Sequence, residues 1–86
     1  MEIPSPCVLM AKAGYKSEVV LKKLGKRIAQ LRESLGINQT ELAHRCGKDR
    51  QVLSLIELGK SNPTVKTLSI VASELNVTLS ELFDFE

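Results

Sequence analysis

The chain has 86 residues, of which 43% are hydrophobic and 26% charged, with a net charge of +2; this fits one small folded domain and excludes wholesale disorder or a second domain. Only 3% of residues are aromatic, which excludes a stacking platform for single-stranded nucleic acid and an aromatic-lined ligand pocket. The core must therefore be aliphatic.

No apolar run approaches the roughly 18 residues of a membrane-spanning helix. The opening Met1, Glu2, Ile3 and Pro4 lack the basic and apolar regions of a secretory leader. A cytoplasmic protein with no membrane contact is expected, and Cys7 and Cys46 are expected as reduced thiols rather than a disulfide framework. Charge is polarised along the chain: residues 1–66 carry all twelve Lys and Arg against six Asp and Glu, while residues 67–86 carry four acids and no base. That division suggests a basic working surface and an end with another task.

Taken in order, residues 1–16 hold Pro4, Pro6 and Gly14 without a sustained period, which predicts an extended or flexible arm. From there to residue 86 a single helical domain is expected. Val20, Leu24, Ile28, Leu31 and Leu35 recur every three or four positions between Lys22, Lys23, Lys26, Arg27 and Glu33, predicting helix 1 over about 18–35 with Gly36 as its stop. Asn38 with Glu41 three residues on predicts a capped helix 2 over about 39–46. Gly47 ends it, and Asp49 is placed to cap helix 3, which runs from Arg50 to Gly59.

Ser61, Asn62, Pro63 and Thr64 mark a loop and a cap. Val65, Leu68, Val71, Ala72 and Leu75 then mark the core face of helix 4, over about 65–75. Thr78 and Glu81 form a second capping box opening a short helix 5 with Leu79, Leu82 and Phe83. The fold expected is all-α, with five helices and no strand.

Two short helices joined by a tight turn containing glycine form the unit whose second helix can lie in the DNA major groove. At about 100° per residue, helix 3 puts Val52, Leu53 and Ile56 on one arc, predicted as core. Arg50, Gln51, Ser54, Leu55 and Leu58 fall on the opposite arc, free to read a partner. Arg50 suits the O6 and N7 of guanine and Gln51 the N6 and N7 of adenine, each worth about 1–3 kcal/mol of base discrimination.

The residues Gln39 to Ala43 (QTELA), Gly47, Leu53 to Lys60 (LSLIELGK), Asn62 to Thr64, Thr67 with Leu68, and Leu79 to Phe83 (LSELF) resemble, in order and spacing, the phage repressor and Cro-type helix-turn-helix family, also called the xenobiotic-response-element-type regulators. The resemblance covers about residues 22–83. It implies a five-helix repressor-like DNA-binding domain in which Gln39 touches the sugar-phosphate backbone and supports a base-reading side chain. It places Arg50, Gln51 and Leu55 opposite base edges, with Ser54 on the same arc, and pairs Glu57 with Arg32 as architecture. Backbone contacts are expected from Asn38, Lys48, Lys60, Ser61 and Asn62 and from free N–H groups at the starts of helices 2 and 4. Lys22, Lys23, Lys26 and Arg27 are further candidates, set against the tendency of helix 1 to turn its polar face to solvent.

The chain departs from the family at Leu55 and Leu58, which make helix 3 unusually apolar. Leu55 suits a thymine methyl group, or the two leucines belong to a protein-binding surface. Because one helix reads only about half of an operator, a two-fold dimer on double-stranded DNA is expected. Its interface is assigned to Ile70, predicted to face away from the helix 4 core stripe, with Leu79, Leu82, Phe83 and Phe85; core closure is the alternative role for Leu79 and Leu82.

His44 and Cys46, two residues apart, point about 200° apart on a helix and cannot share one metal ion. No nucleophile, acid–base pair or phosphate loop has workable spacing, so no catalysis, metal or cofactor is expected. The function expected is a sequence-specific homodimeric transcriptional regulator, bacterial or phage in type, acting as repressor or autoregulator on a short pseudo-palindromic operator. The alternative is a protein-interaction module such as an antitoxin, with a toxin as partner, or a coactivator-like adaptor.

Overall fold

The computed structural model describes residues 17–85; the arm expected over residues 1–16, Cys7 within it, and Glu86 lie outside the described residues. Five helices follow one another: α1 Ser17–Ser34, α2 Gln39–Arg45, α3 Arg50–Glu57, α4 Val65–Glu74 and α5 Leu79–Leu82. Among the described residues there is no strand, and no helix is long and apolar enough to cross a membrane.

Side chains open the helices where an acceptor precedes them. Asn38 Oδ1 accepts the Glu41 N–H at 2.8 Å, and Thr64 Oγ1 accepts the Thr67 N–H at 3.1 Å. At α5 the capping box closes in both directions: Thr78 Oγ1 accepts the Glu81 N–H at 3.0 Å, and Glu81 Oε1 accepts the Thr78 N–H at 2.9 Å. The hydrogen bonds that Thr78 gives to the Glu81 carboxyl, the backbone N–H first, hold it below its ordinary value. Two expectations change. Glu41 reaches forward to Arg45, 3.3 Å away and one turn on, rather than back to its own cap. Asp49 has the extended backbone of an N-cap but makes no side-chain cap bond.

One motif closes four helices. The N–H of Ile37, Lys48, Lys60 and Val77 donates to the carbonyl of Arg32, Ala43, Leu55 and Ala72 respectively, at 2.9–3.4 Å. This is the six-to-one bond that reverses the chain through a left-handed residue. At α4 that residue is Asn76, with φ of 59°, a conformation its short polar side chain tolerates. The reversal sets in early, so α1, α2 and α4 each end one residue before the apolar periodicity does.

The core is aliphatic, as the composition requires: Leu24, Ile28, Leu42, Leu53, Ile56, Leu68, Val71, Leu75 and Leu82 are buried together with Ala43, Ala72 and Cys46, and no polar or charged residue is buried among the described residues. Burial pushes the Cys46 thiol up from its ordinary value. Three expected core residues are exposed instead. Leu35 lies past the last turn of α1, Val52 sits at the rim between α3 and α4 beside Lys48 and Thr67, and Val65 is the first helical residue after its cap, 68% exposed. Ile70 packs half-buried against the core rather than turning to solvent.

Packing centres on α3, which lies against α2 and α1, while α5 lies against α4 and α1. Arg27 on α1 fastens α5 through two hydrogen bonds to the Glu81 carbonyl, at 3.2 and 3.1 Å. The approach of α1 to α3 is backbone to backbone. A Cβ on Gly25 would stand 2.6 Å from the Ile56 carbonyl oxygen and closer still to that of Glu57, so only glycine lets the two helices meet there.

Candidate nucleic-acid interface

The turn Cys46–Asp49 sets α3 across α2 so that Leu53 and Ile56 enter the core and the opposite arc stays open. Arg50 and Gln51 are exposed at its first turn, Ser54 is half-buried, and Leu55 and Leu58 are 38% and 55% exposed. The two leucines therefore leave a substantial apolar surface on the outer side of this helix.

Behind that face runs a chain of charged and polar side chains. Glu57 is held bidentately by Arg32, with Nε to Oε2 at 2.8 Å and Nη2 to Oε1 at 3.1 Å. The side chains are only 12% and 5% exposed, and the third guanidinium nitrogen of Arg32 donates to the Ile37 carbonyl at 2.9 Å. The hydrogen bond to Glu57, opposed by burial, holds Arg32 above its ordinary value. Glu57 Oε1 also accepts from Gln39 Nε2 at 2.9 Å. With its amide nitrogen so committed, Gln39 turns Oε1 outward, where Arg50 Nη1 donates to it at 3.3 Å.

The consequence is positional. Arg50, a long side chain that would lose about 2 kcal/mol of rotamer entropy on being fixed, is hydrogen-bonded through Nη1 to Gln39 while the residue stays exposed. Spacing alone pairs Arg32 with neither Gln39 nor Arg50. The link from Gln39 to Glu57, residues 18 apart, is a tertiary contact with no local sequence signal. Gly25 did carry one, as an isolated glycine inside a helical pattern.

Around this face the remaining candidates fall into place by exposure. Asn38, Lys48, Lys60 and Asn62 are exposed and Ser61 half-buried; the Asn38 side-chain oxygen is taken by its capping bond, leaving its amide nitrogen. Away from the face, Phe83 and Phe85 meet with ring centroids 6.2 Å apart and, with Ile70 and Leu79, lie half-buried on the core. Leu82 is fully buried, so it closes the core and is unavailable to a partner. His44 is exposed and Cys46 buried, and no group of His, Cys, Asp and Glu among the described residues could hold a metal ion.

The helix-turn-helix family profile matches residues 28–82 of this chain. The chain belongs to the helix-turn-helix family. Over 61 residues it is 43% identical to the HTH-type transcriptional regulator y4dJ of Sinorhizobium fredii, covering 71% of this chain and 79% of that protein. It is equally identical, over 61 residues, to the ImmF control region 10 kDa protein of Bacillus phage phi105, covering 71% and 68%. Among solved structures, the restriction-modification controller protein C.AhdI of Aeromonas hydrophila superposes with a TM-score of 0.71 at 32% identity, covering 72% of this chain and 94% of that one. The helix-turn-helix unit is α2 and α3, the fold is the all-α five-helix one, and the protein is a DNA-binding transcriptional regulator of the Cro/C1 type.

Proposed function

We propose that this regulator binds a short pseudo-palindromic operator as a homodimer, each copy reading one half-site with Arg50, Gln51, Ser54 and Leu55 of α3. The observation that carries this reading is the hydrogen-bonded chain Arg32, Glu57, Gln39, Arg50, which holds the first residue of α3 ready at the exposed end of the helix. Preorganisation of that kind favours specific readout, since the ordering cost is met before DNA arrives. Asn38, Gln39, Lys48, Lys60, Ser61 and Asn62 supply backbone contacts that position α3 without reading sequence. Ile70, Leu79, Phe83 and Phe85 form the dimer surface, apolar and half-buried beside the base-free end of the chain. The protein acts on transcription without catalysis, metal or cofactor, as a repressor or autoregulator in the cytoplasm.

Selection of bound duplexes from a random pool tests this reading. It predicts an enriched sequence with two-fold symmetry and half-site centres about 34 Å apart, one turn of DNA. An enriched set without symmetry would remove the dimer; no enrichment would remove sequence-specific reading altogether.

A second reading has one observation in its favour, the exposure of Leu55 and Leu58 on the outer side of α3. It makes α3 a docking surface for a protein, as in an antitoxin bound to its toxin. Replacing Leu58 with Asn separates the two: DNA binding holds or improves under the first reading, and partner capture is lost under the second.

A further inference from the structure

The family profile begins at Ile28, so the first eleven residues of α1 lie outside it, and besides Leu24 in the core and Arg27 on α5 they make two close contacts with the end of α3. Gly25 abuts the Ile56 and Glu57 carbonyls. One turn earlier, Lys22 lies against Gly59: a Cβ at Gly59 would come within 2.7 Å of Lys22 Cα and 2.8 Å of its Cγ. Gly59 also has φ of +73°, and it opens the loop that carries Lys60, Ser61 and Asn62. The backbone and the start of the aliphatic stem of Lys22 are thus seated on the loop that follows the reading helix, and the residue is exposed.

The same edge of α1 leads to the reading face. Arg32 lies two turns after Gly25, about 20° away around the helix axis, and it is joined through Glu57 and Gln39 to Arg50. No ion pair among the described residues involves Lys22 or Lys60. Lys22, packed on Gly59, and Lys60, the next residue of the chain, are thus two exposed cationic residues at one edge of the loop that follows α3.

We infer that Lys22 is a DNA-phosphate contact, so that the N-terminal turns of α1 and the loop after α3 grip one strand together. The inference rests on α3 being the reading helix and adds α1 to the interface. The competing role for Lys22 is internal: its charge would merely complement the carbonyl end of α3. Salt dependence distinguishes the two, because only a phosphate contact releases a counterion from DNA. Each contact contributes about 0.9 to the slope of log K against log salt.

The test measures that slope by fluorescence anisotropy on a random-sequence duplex of about 30 base pairs, three helical turns. The proteins compared are the full chain, Lys22→Gln, Lys22→Arg, Lys60→Gln and, as a control, Arg45→Gln, which removes a charge at the far end of α2. Glutamine keeps most of the stem that packs on Gly59. Lys22→Gln is expected to lower the slope by about 0.9, so that raising salt from 0.05 to 0.2 M weakens its binding roughly threefold less than it weakens that of the full chain. Lys22→Arg and Arg45→Gln should leave the slope in place. An unchanged slope for Lys22→Gln, with that of Lys60→Gln lowered, would overturn the inference while leaving α3 as the reading helix. A melting temperature lowered by Lys22→Gln at unchanged slope would assign the residue to the end of α3. A full chain whose binding shows no salt dependence would overturn the DNA reading itself.

Discussion

The two ends of the domain are built on different principles. Where α1 meets α2 and α3, polar chemistry is added to the aliphatic core: Glu57 accepts from Arg32 and Gln39, Gln39 accepts from Arg50, and Gly25 lets two backbones touch. Where α4 meets α5, position is fixed by aliphatic packing around Val71, Leu75 and Leu82 and by the Thr78–Glu81 capping box. The first arrangement fails abruptly when one member is lost, because an unpaired buried group keeps its desolvation cost. The second degrades gradually. The proposed reading surface needs the first kind, since a base contact tolerates little displacement, whereas the proposed dimer surface needs only an apolar face of the right shape.

Substitutions separate these two regimes, beginning with the most damaging. Gly25→Ala drives a methyl group into the Ile56 and Glu57 carbonyls; with backbone on both sides and nothing flexible to yield, it should cost about 3 kcal/mol or more, seen as a large fall in the denaturation midpoint. Glu57→Ala strands a largely buried Arg32 and frees Gln39, and should cost about 3–5 kcal/mol. In a partly unfolded sample that loss would be accompanied by loss of DNA binding.

Arg50→Ala and Gln51→Ala are expected to leave the melting temperature nearly unchanged, because both side chains are exposed, while each removes about 1–3 kcal/mol of sequence discrimination. A melting loss comparable to that of Glu57→Ala would erase the distinction between the reading residues and their support. At the other end, Phe83→Ser should shift the sedimentation profile toward monomer at a given concentration while retaining the helical signal. The smallest effect belongs to the α5 cap. Thr78→Ala should cost about 1 kcal/mol. The folded Glu81 carboxyl is held below its unfolded value, so its contribution is present above the unfolded value and disappears as pH falls through the folded one. The destabilisation by Glu81→Gln should therefore shrink under acid conditions.

The parts of the fold legible in the sequence are those decided within one turn of chain. Asn38, Thr64 and Thr78 announce helix starts because a cap and its partner N–H lie three residues apart, and the five helices follow from apolar spacing. The pairing of Arg32 with Glu57 came from family resemblance, since no local period connects residues 25 apart. Periodicity misplaced Leu35, Val52 and Val65 for a common reason: each lies in or just beyond a terminal turn, where the wheel assigns a face but neighbouring elements leave it largely uncovered. It also could not separate Leu82, which is sealed in the core, from Phe83 and Phe85, which remain partly open. The support behind Arg50 and the contact of Lys22 with Gly59 depend on how α1 crosses α3, and that crossing is set by tertiary packing.

Whether α3 reads base sequence through Arg50 is decided by comparing the affinity of the full chain for a selected duplex with that for its scrambled counterpart, alongside Arg50→Ala. The expected ratio is above about 10³ at physiological salt for the full chain, reduced roughly 5- to 150-fold by Arg50→Ala, with the melting temperature preserved. Equal affinities of the full chain for the two duplexes, or an unaltered ratio in Arg50→Ala, would contradict it.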